Sequence, residues 1–129
     1  MSKEAVDTRS APAAIGPYSQ AIRAGNLIYT AGQIALDPAT GQLTAGGIKE
    51  QTARVLENLT AILEAGGSSL DRVLKTTVYL KDLNDFLEMN SVYEMYLGKG
   101  GAASPARTTV GVTRLPKDAL IEIDLVAEV

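Results

Sequence analysis

An α+β fold, with two helices covering one face of a mixed β-sheet, is what this sequence predicts. Two stretches repeat apolar residues at three- and four-residue spacing. Several shorter stretches are rich in Val, Ile, Thr and Tyr, and turns built on Gly and Pro separate them. The resulting order is β-β-α-β-α-β-β in a single domain over residues 1–129.

The first strand covers about Ser19–Arg23 and is entered from the Gly16-Pro17 turn. Ala24-Gly25-Asn26 reads as a hairpin into a second strand, Asn26–Leu36, which closes at the turn Asp37-Pro38-Ala39-Thr40-Gly41. Ile48, Thr52, Val55, Leu56, Leu59, Ile62 and Leu63 form one stripe, which predicts a helix over Ile48–Ala65 stopped by Gly66-Gly67. A strand at Arg72–Leu80 follows. The second helix is expected at Leu83–Leu97, with Asp82 as N-cap and Asp85 favoured by the helix dipole. Gly98–Gly101 ends it and Ala102–Pro105 is loop. Strands at Arg107–Thr113 and Ala119–Ala127 flank Leu115-Pro116-Lys117-Asp118 and complete the chain.

Composition narrows the chemistry. With 129 residues, 46% of them apolar, the chain suits one domain that can bury its own core. The formal charge of −3, with pI near 4.9, argues against a nucleic-acid partner, which a basic stripe would serve. No apolar run approaches the roughly 20 residues that span a bilayer, and Met1–Ala11 lacks a signal-peptide core, so a cytoplasmic location without a membrane partner is expected. Cysteine and histidine are both absent. Disulfides, Cys/His zinc sites, thiolate nucleophiles and histidine triads are thereby excluded, and no Asp/Glu cluster suggests another metal. What is left suits polarising and hydrating a small anion.

Strand alternation then places candidates. Arg107, Thr109 and Gly111 share one face of their strand, and Thr108, Val110 and Val112 the other, taken as the helix-covered side. In the last strand Ile121, Ile123, Leu125 and Ala127 share a face opposite Glu122 and Asp124. Arg107, Thr109, Glu122 and Asp124 are therefore expected together on the uncovered face. Leu27, Tyr29, Ala31, Ala35 and Val126 make that face apolar enough to call for burial against other copies of the chain. A cleft between copies and an ordinary cross-strand Arg–Glu pair both fit these residues. Asn90 sits within the apolar stripe Phe86, Met89, Tyr93 and Tyr96/Leu97, where it needs a partner, either neighbouring backbone or a ligand. Tyr18 fits a core position or a site lid equally well.

Several motifs, in order, resemble one known family. They are Gly16-Pro17-Tyr18-Ser19-Gln20, Ala31-Gly32-Gln33-Ile34, Val73-Leu74-Lys75-Thr76-Thr77-Val78, Lys81-Asp82-Leu83-Asn84-Asp85-Phe86, Pro105-Ala106-Arg107, Arg114-Leu115-Pro116-Lys117-Asp118 and Ile121-Glu122-Ile123. Together they make the chain similar to RidA/YjgF proteins from about residue 10 onward. The resemblance implies a chorismate-mutase-like fold and a homotrimer with a central β-barrel and clefts between neighbours. It also implies hydrolysis of 2-iminobutanoate and 2-iminopropanoate to 2-oxo acids and ammonia, without a cofactor.

By the same resemblance Arg107 holds the substrate carboxylate, Glu122 positions water, Tyr18 lines the cleft, and Asn90, Thr109, Ala31 and Gly32 contribute to substrate binding. The chain departs from many relatives at Ser104 (often Phe), Ala31 (often Ser) and Thr109 (often Cys), so a covalent thiol mechanism cannot apply. Other readings are a non-catalytic module binding small carboxylates, a ribonuclease or translation inhibitor, and a chaperone-like role. The low pI and missing histidine speak against the ribonuclease.

Overall fold

Short β-branched segments and two amphipathic helices assemble around one six-stranded mixed sheet in the computed structural model, which describes residues 2–98 and 103–129. The strands are β1 (Lys3–Val6), β2 (Ala21–Ala24), β3 (Leu27–Thr30), β4 (Val73–Leu80), β5 (Ala106–Gly111) and β6 (Ile121–Glu128), and the helices are α1 (Ile48–Ala65) and α2 (Phe86–Leu97). Across the sheet the order is β1-β2-β3-β6-β4-β5, antiparallel throughout except for the parallel pair β4–β5.

Strand β1 was not expected. Only Val6 of its four residues is buried, so the segment carries too little alternation to read as a strand, and it is held instead by pairing with β2. The β2–β3 hairpin forms as predicted, with Gly25 at φ 62° in its two-residue loop. The strand expected over Asn26–Leu36 is shorter, because regular pairing stops at Thr30. There the Thr30 hydroxyl accepts the Leu125 N–H at 3.0 Å, and the ladder resumes only as an isolated bridge between Gln33 and Ile123.

Helix α1 has the predicted bounds. Its Glu50 side chain accepts from the Gly47 N–H at 2.8 Å, which satisfies an otherwise orphaned donor at the helix start. At the other helix, Asp82 caps a 3₁₀ turn, Leu83–Asp85, by accepting from the Asn84 N–H at 2.9 Å, and α2 begins only at Phe86. The expected stop at Gly98–Gly101, beyond Gly98, and Ala102 of the expected loop lie outside the described residues.

Both helices lie on the same sheet face. Ile28, Val78, Leu80, Ile121, Ile123, Leu125 and Ala127 from the strands meet Val55, Leu56, Leu59, Ile62 and Leu63 of α1 and Met89, Tyr93 and Leu97 of α2. Ala35 belongs to this core and not to the uncovered face. Two polar residues are fully buried within α1: Thr52 donates back to the Ile48 carbonyl of its own helix, while Asn58 donates to the Leu36 carbonyl at 2.9 Å and accepts from Arg54 Nε at 3.1 Å. It ties the irregular segment after β3 to the helix.

Removing that amide leaves the Leu36 carbonyl and the Arg54 N–H short of a partner. Asn58→Ala is expected to lower stability by about 1–3 kcal/mol, read as a reduced urea midpoint at fixed protein concentration. An unchanged midpoint would show that the amide ties nothing.

Candidate active site

Arg107 is the second residue of β5 and lies in parallel register with Thr76 of β4. Register neighbours point to the same face, and the fully buried Thr76 points at α2, where its hydroxyl hydrogen-bonds the Tyr93 hydroxyl at 2.8 Å. Arg107 therefore rises toward α2 as well. Its guanidinium carbon stands 4.8 Å from the Tyr93 ring centroid and 5.4 Å from that of Phe86, and Nη1 donates to Asn90 Oδ1 at 2.7 Å.

This corrects the expected facing. Arg107, Thr109 and Gly111 do share a face, but it is the helix side, while Thr108 and Val110 are exposed on the other. Alternation was right and the assignment of faces was reversed. Val110 and Val112 are apolar, which on sequence grounds favours the opposite facing. At the sheet edge α2 offers two ring faces and an amide oxygen, which suit a guanidinium better than a methyl group. Asn90 accordingly accepts from the Arg107 side chain, which is neither the neighbouring backbone nor the ligand that its place in the stripe suggested.

Glu122 points away from the helices, as predicted, and is half-buried. Burial is the main reason its carboxyl is pushed above the ordinary glutamate range, and the neighbouring charge of Asp124 adds to the effect. The carboxylate rests against the bare Cα of Gly32, where any Cβ would collide with it. Asp124 is held separately by the Tyr79 hydroxyl, which donates to it at 2.9 Å.

Two cavities result. One, of about 470 Å³, is lined by Asn90, Tyr93, Glu94, Ser104, Pro105 and Arg107 among others. The second, of about 620 Å³, includes Tyr18, Ala31, Gly32, Lys117 and Glu122. Among the described residues they share no lining residue. The structure thus unites Arg107 with Asn90, and Glu122 with Tyr18, Ala31 and Gly32, but does not bring the two groups together.

Tyr18 is no core residue, being 53% exposed with its hydroxyl accepting the Ile15 N–H at 3.3 Å. Thr109 lies on the helix side in register with Val78, its hydroxyl buried without a hydrogen-bond partner among the described residues. At the rim of the Glu122 cavity, Lys117 and Asp118 both adopt positive φ, at 55° and 59°. Lys81 Nζ pins this strained turn through Asp118 at 2.6 Å. Sequence reasoning passed over Thr76, and it read Tyr93 as plain core. The available signal was the spacing of Phe86, Asn90 and Tyr93, which places an amide between two rings on one helical face. Among the described residues no group of three or more His, Cys, Asp or Glu could hold a metal ion, and no helix is long and apolar enough to cross a membrane.

Comparison with known proteins bears on these cavities. Residues 8–129 match the family model described as Endoribonuclease L-PSP. The chain is 58% identical over 127 residues to a RutC family protein of Pyrococcus abyssi, covering 98% of each. It is 47% identical over 122 residues to the 2-iminobutanoate/2-iminopropanoate deaminase of Escherichia coli K12, covering 95% of this chain and 94% of that protein. Among solved structures, the E. coli YjgF gene product superposes with a TM-score of 0.92 at 46% identity, covering 97% of this chain and 98% of that one. E. coli TdcF with bound serine gives 0.92 at 40% identity, with 98% of both chains covered.

The raised carboxyl of Glu122 has a consequence for stability. Its folded pKa lies above the ordinary 4.5, so the folded state binds this proton more tightly than the unfolded chain. Glu122's contribution is therefore most favourable below pH 4.5 and is lost as pH rises through the folded value. Glu122→Gln is expected to melt higher than the parent at pH 7, the gap closing as pH falls below that of the ordinary carboxyl. A variant that melts lower at pH 7 would show that the charge is stabilised in the fold.

Proposed function

This chain belongs to the RidA/YjgF family, that of the endoribonuclease L-PSP model, and we propose that it hydrolyses 2-imino acids such as 2-iminobutanoate and 2-iminopropanoate to 2-oxo acids and ammonia. The observation that carries this reading is the Arg107 guanidinium. It is steadied on two aromatic rings with one N–H committed to Asn90, and its remaining donors, without a partner among the described residues, lie at a cavity. A carboxylate is the natural ligand for such a fork. TdcF, with serine bound, is a relative whose ligand carries one.

The chemistry needs one further group. In the protonated imine the C=N carbon is electrophilic. Water adds to it, forming the C–O bond, while one water proton passes to the Glu122 carboxylate. Glu122 then returns that proton to nitrogen. The C–N bond breaks as the carbinol hydroxyl passes its proton to the Glu122 carboxylate, which hands it to the departing ammonia, leaving a 2-oxo acid and ammonium. A carboxyl whose burial raises its proton affinity suits both halves of this exchange. No thiol and no cofactor enters, and Thr109 contributes no nucleophile.

Because Arg107 and Glu122 line separate cavities, the reading includes a homotrimer in which the Arg107 cavity of one subunit meets the Glu122 cavity of the next. The outer edge of β5, unpaired among the described residues, and the exposed Tyr18 and Val110 favour such contacts. The ribonuclease in the family description draws less support from this chain, whose net charge is −3 and which has no histidine.

Two experiments test the assignment. Arg107→Lys keeps the charge but loses the planar fork, and should weaken calorimetric binding of 2-oxobutanoate by about 1.5–3 kcal/mol. Glu122→Gln should still bind that product yet release ammonia slowly from 2-aminoacrylate generated in situ by a dehydratase. Unchanged affinity in the first, or full turnover in the second, would reverse the roles. Shared sites make a sharper demand. Co-refolding the two impaired variants in equal amounts should restore about a quarter of the parent rate above their own residual rates, since random mixing reunites an intact Arg107 with an intact Glu122 at that frequency. No recovery, in mixed oligomers verified by mass, would mean that each subunit works alone.

A further inference from the structure

The aromatic contact with Arg107 raises a question that anchoring alone leaves open. An arginine has a long flexible stem, and holding its fork ready before a ligand arrives removes an ordering cost from binding. Hydrogen bonds could do this, but each consumes a donor the ligand would use. Asn90 takes one such N–H, from Nη1. A ring face takes none, because it attracts the cation through its quadrupole.

We propose that Tyr93 is the positioning residue of Arg107: its ring carries the guanidinium, and its hydroxyl, tied to Thr76, keeps the ring in place. This rests on the reading of Arg107 as the carboxylate anchor. Tyr93 is the nearer of the two rings, at 4.8 Å against 5.4 Å for Phe86. It is also the better fixed, being 7% exposed and bonded at 2.8 Å to a hydroxyl with no exposure at all. Thr76 is the register neighbour of Arg107 across the β4–β5 pair. One strand pair therefore sets both the root of the arginine and the tether of the ring beneath it, so their relative position is fixed by the sheet. Phe86, Asn90 and Tyr93 recur at i, i+4 and i+7 on α2 and present one continuous cradle. Burial dominates the shift of the Tyr93 phenol to a higher pKa, and the group stays a neutral ring at pH 7.

The test compares Arg107→Lys, Tyr93→Leu and Tyr93→Phe in the full chain, by calorimetry with 2-oxobutanoate and by the imine assay. Tyr93→Leu should weaken product binding about tenfold and raise KM by a similar factor, with kcat within about twofold, because uniform binding is what is lost. Tyr93→Phe should keep affinity within about threefold while melting lower, since it retains the ring but strands the buried Thr76 hydroxyl. Equal weakening by Leu and Phe, or a Tyr93→Leu variant that loses kcat and melting temperature with KM unchanged, would reduce Tyr93 to a structural role and overturn the proposal. If Tyr93→Leu does not fold, Phe86→Leu carries the same comparison, with about threefold weakening expected from the outer ring and none if the rings hold nothing. Should Arg107→Lys bind product like the parent, the anchor reading fails and this inference with it. Should Arg107→Lys bind weakly while Tyr93→Leu does not, the positioning role alone falls.

Discussion

The alternation along β6 governs both the core and the chemistry of this chain. Ile121, Ile123, Leu125 and Ala127 are each buried against the helices, and that burial fixes the register of the strand, since a one-residue slip would turn every one of them to the opposite face. The residues between them have no choice. Glu122, Asp124 and Val126 must face away from α1 and α2. β4 lies beside β6 with Thr76, Val78 and Leu80 in the same core layer, and Tyr79 and Thr77 next to Glu122 and Asp124 on the far side. The hydrophobic effect that stabilises the sheet thus also places the acidic groups.

The same logic reaches Arg107 one strand further on. Parallel pairing with β4 puts it in register with Thr76, and therefore on the helix side. A cation there is tolerable only because β5 is an edge strand and α2 ends its coverage with rings and an amide. The guanidinium is half-buried, faces two aromatic rings and bonds Asn90. Each of these contacts offsets part of the lost hydration. Deeper in the sheet a guanidinium without such neighbours would be expelled.

How much of this was legible in the sequence depended on the range of the determining contacts. Helix α1 was readable to the residue because eighteen positions repeat one period and glycines stop it. The β2–β3 hairpin was readable because its turn chemistry is local. β1 was not, since its four residues owe their strand geometry to a partner distant in sequence. The break after Thr30 was hidden for a related reason: a hydroxyl from β3 substitutes for a carbonyl in the ladder with β6, across about a hundred residues of chain. In the site, alternation correctly grouped Arg107 with Thr109 and Glu122 with Asp124. Which group faced the helices was a tertiary matter, and the valines of β5 pointed the wrong way. Asn58 and Thr76 were missed because a polar residue in an apolar stripe shows only that it needs a partner, not which one.

The separation of Arg107 from Glu122 has a physical use. Among the described residues the ion pairs are Arg54–Glu57 and Lys81–Asp118, and neither site residue takes part in one. Had both side chains risen on one face within reach, they would have paired. The carboxylate would then have lost basicity to the adjacent cation, and the guanidinium would have spent its fork on an internal partner. Opposite sheet faces prevent that within a chain. Arg107 keeps donors for a ligand, and Glu122 keeps a proton affinity raised by burial. Rings suit this arrangement better than a second carboxylate would, because they steady a cation without neutralising it. On the proposed reading the fold thus keeps an anion-binding Arg107 and a proton-transferring Glu122 apart within one chain and chemically unspent, so that they meet only where a substrate can come between them.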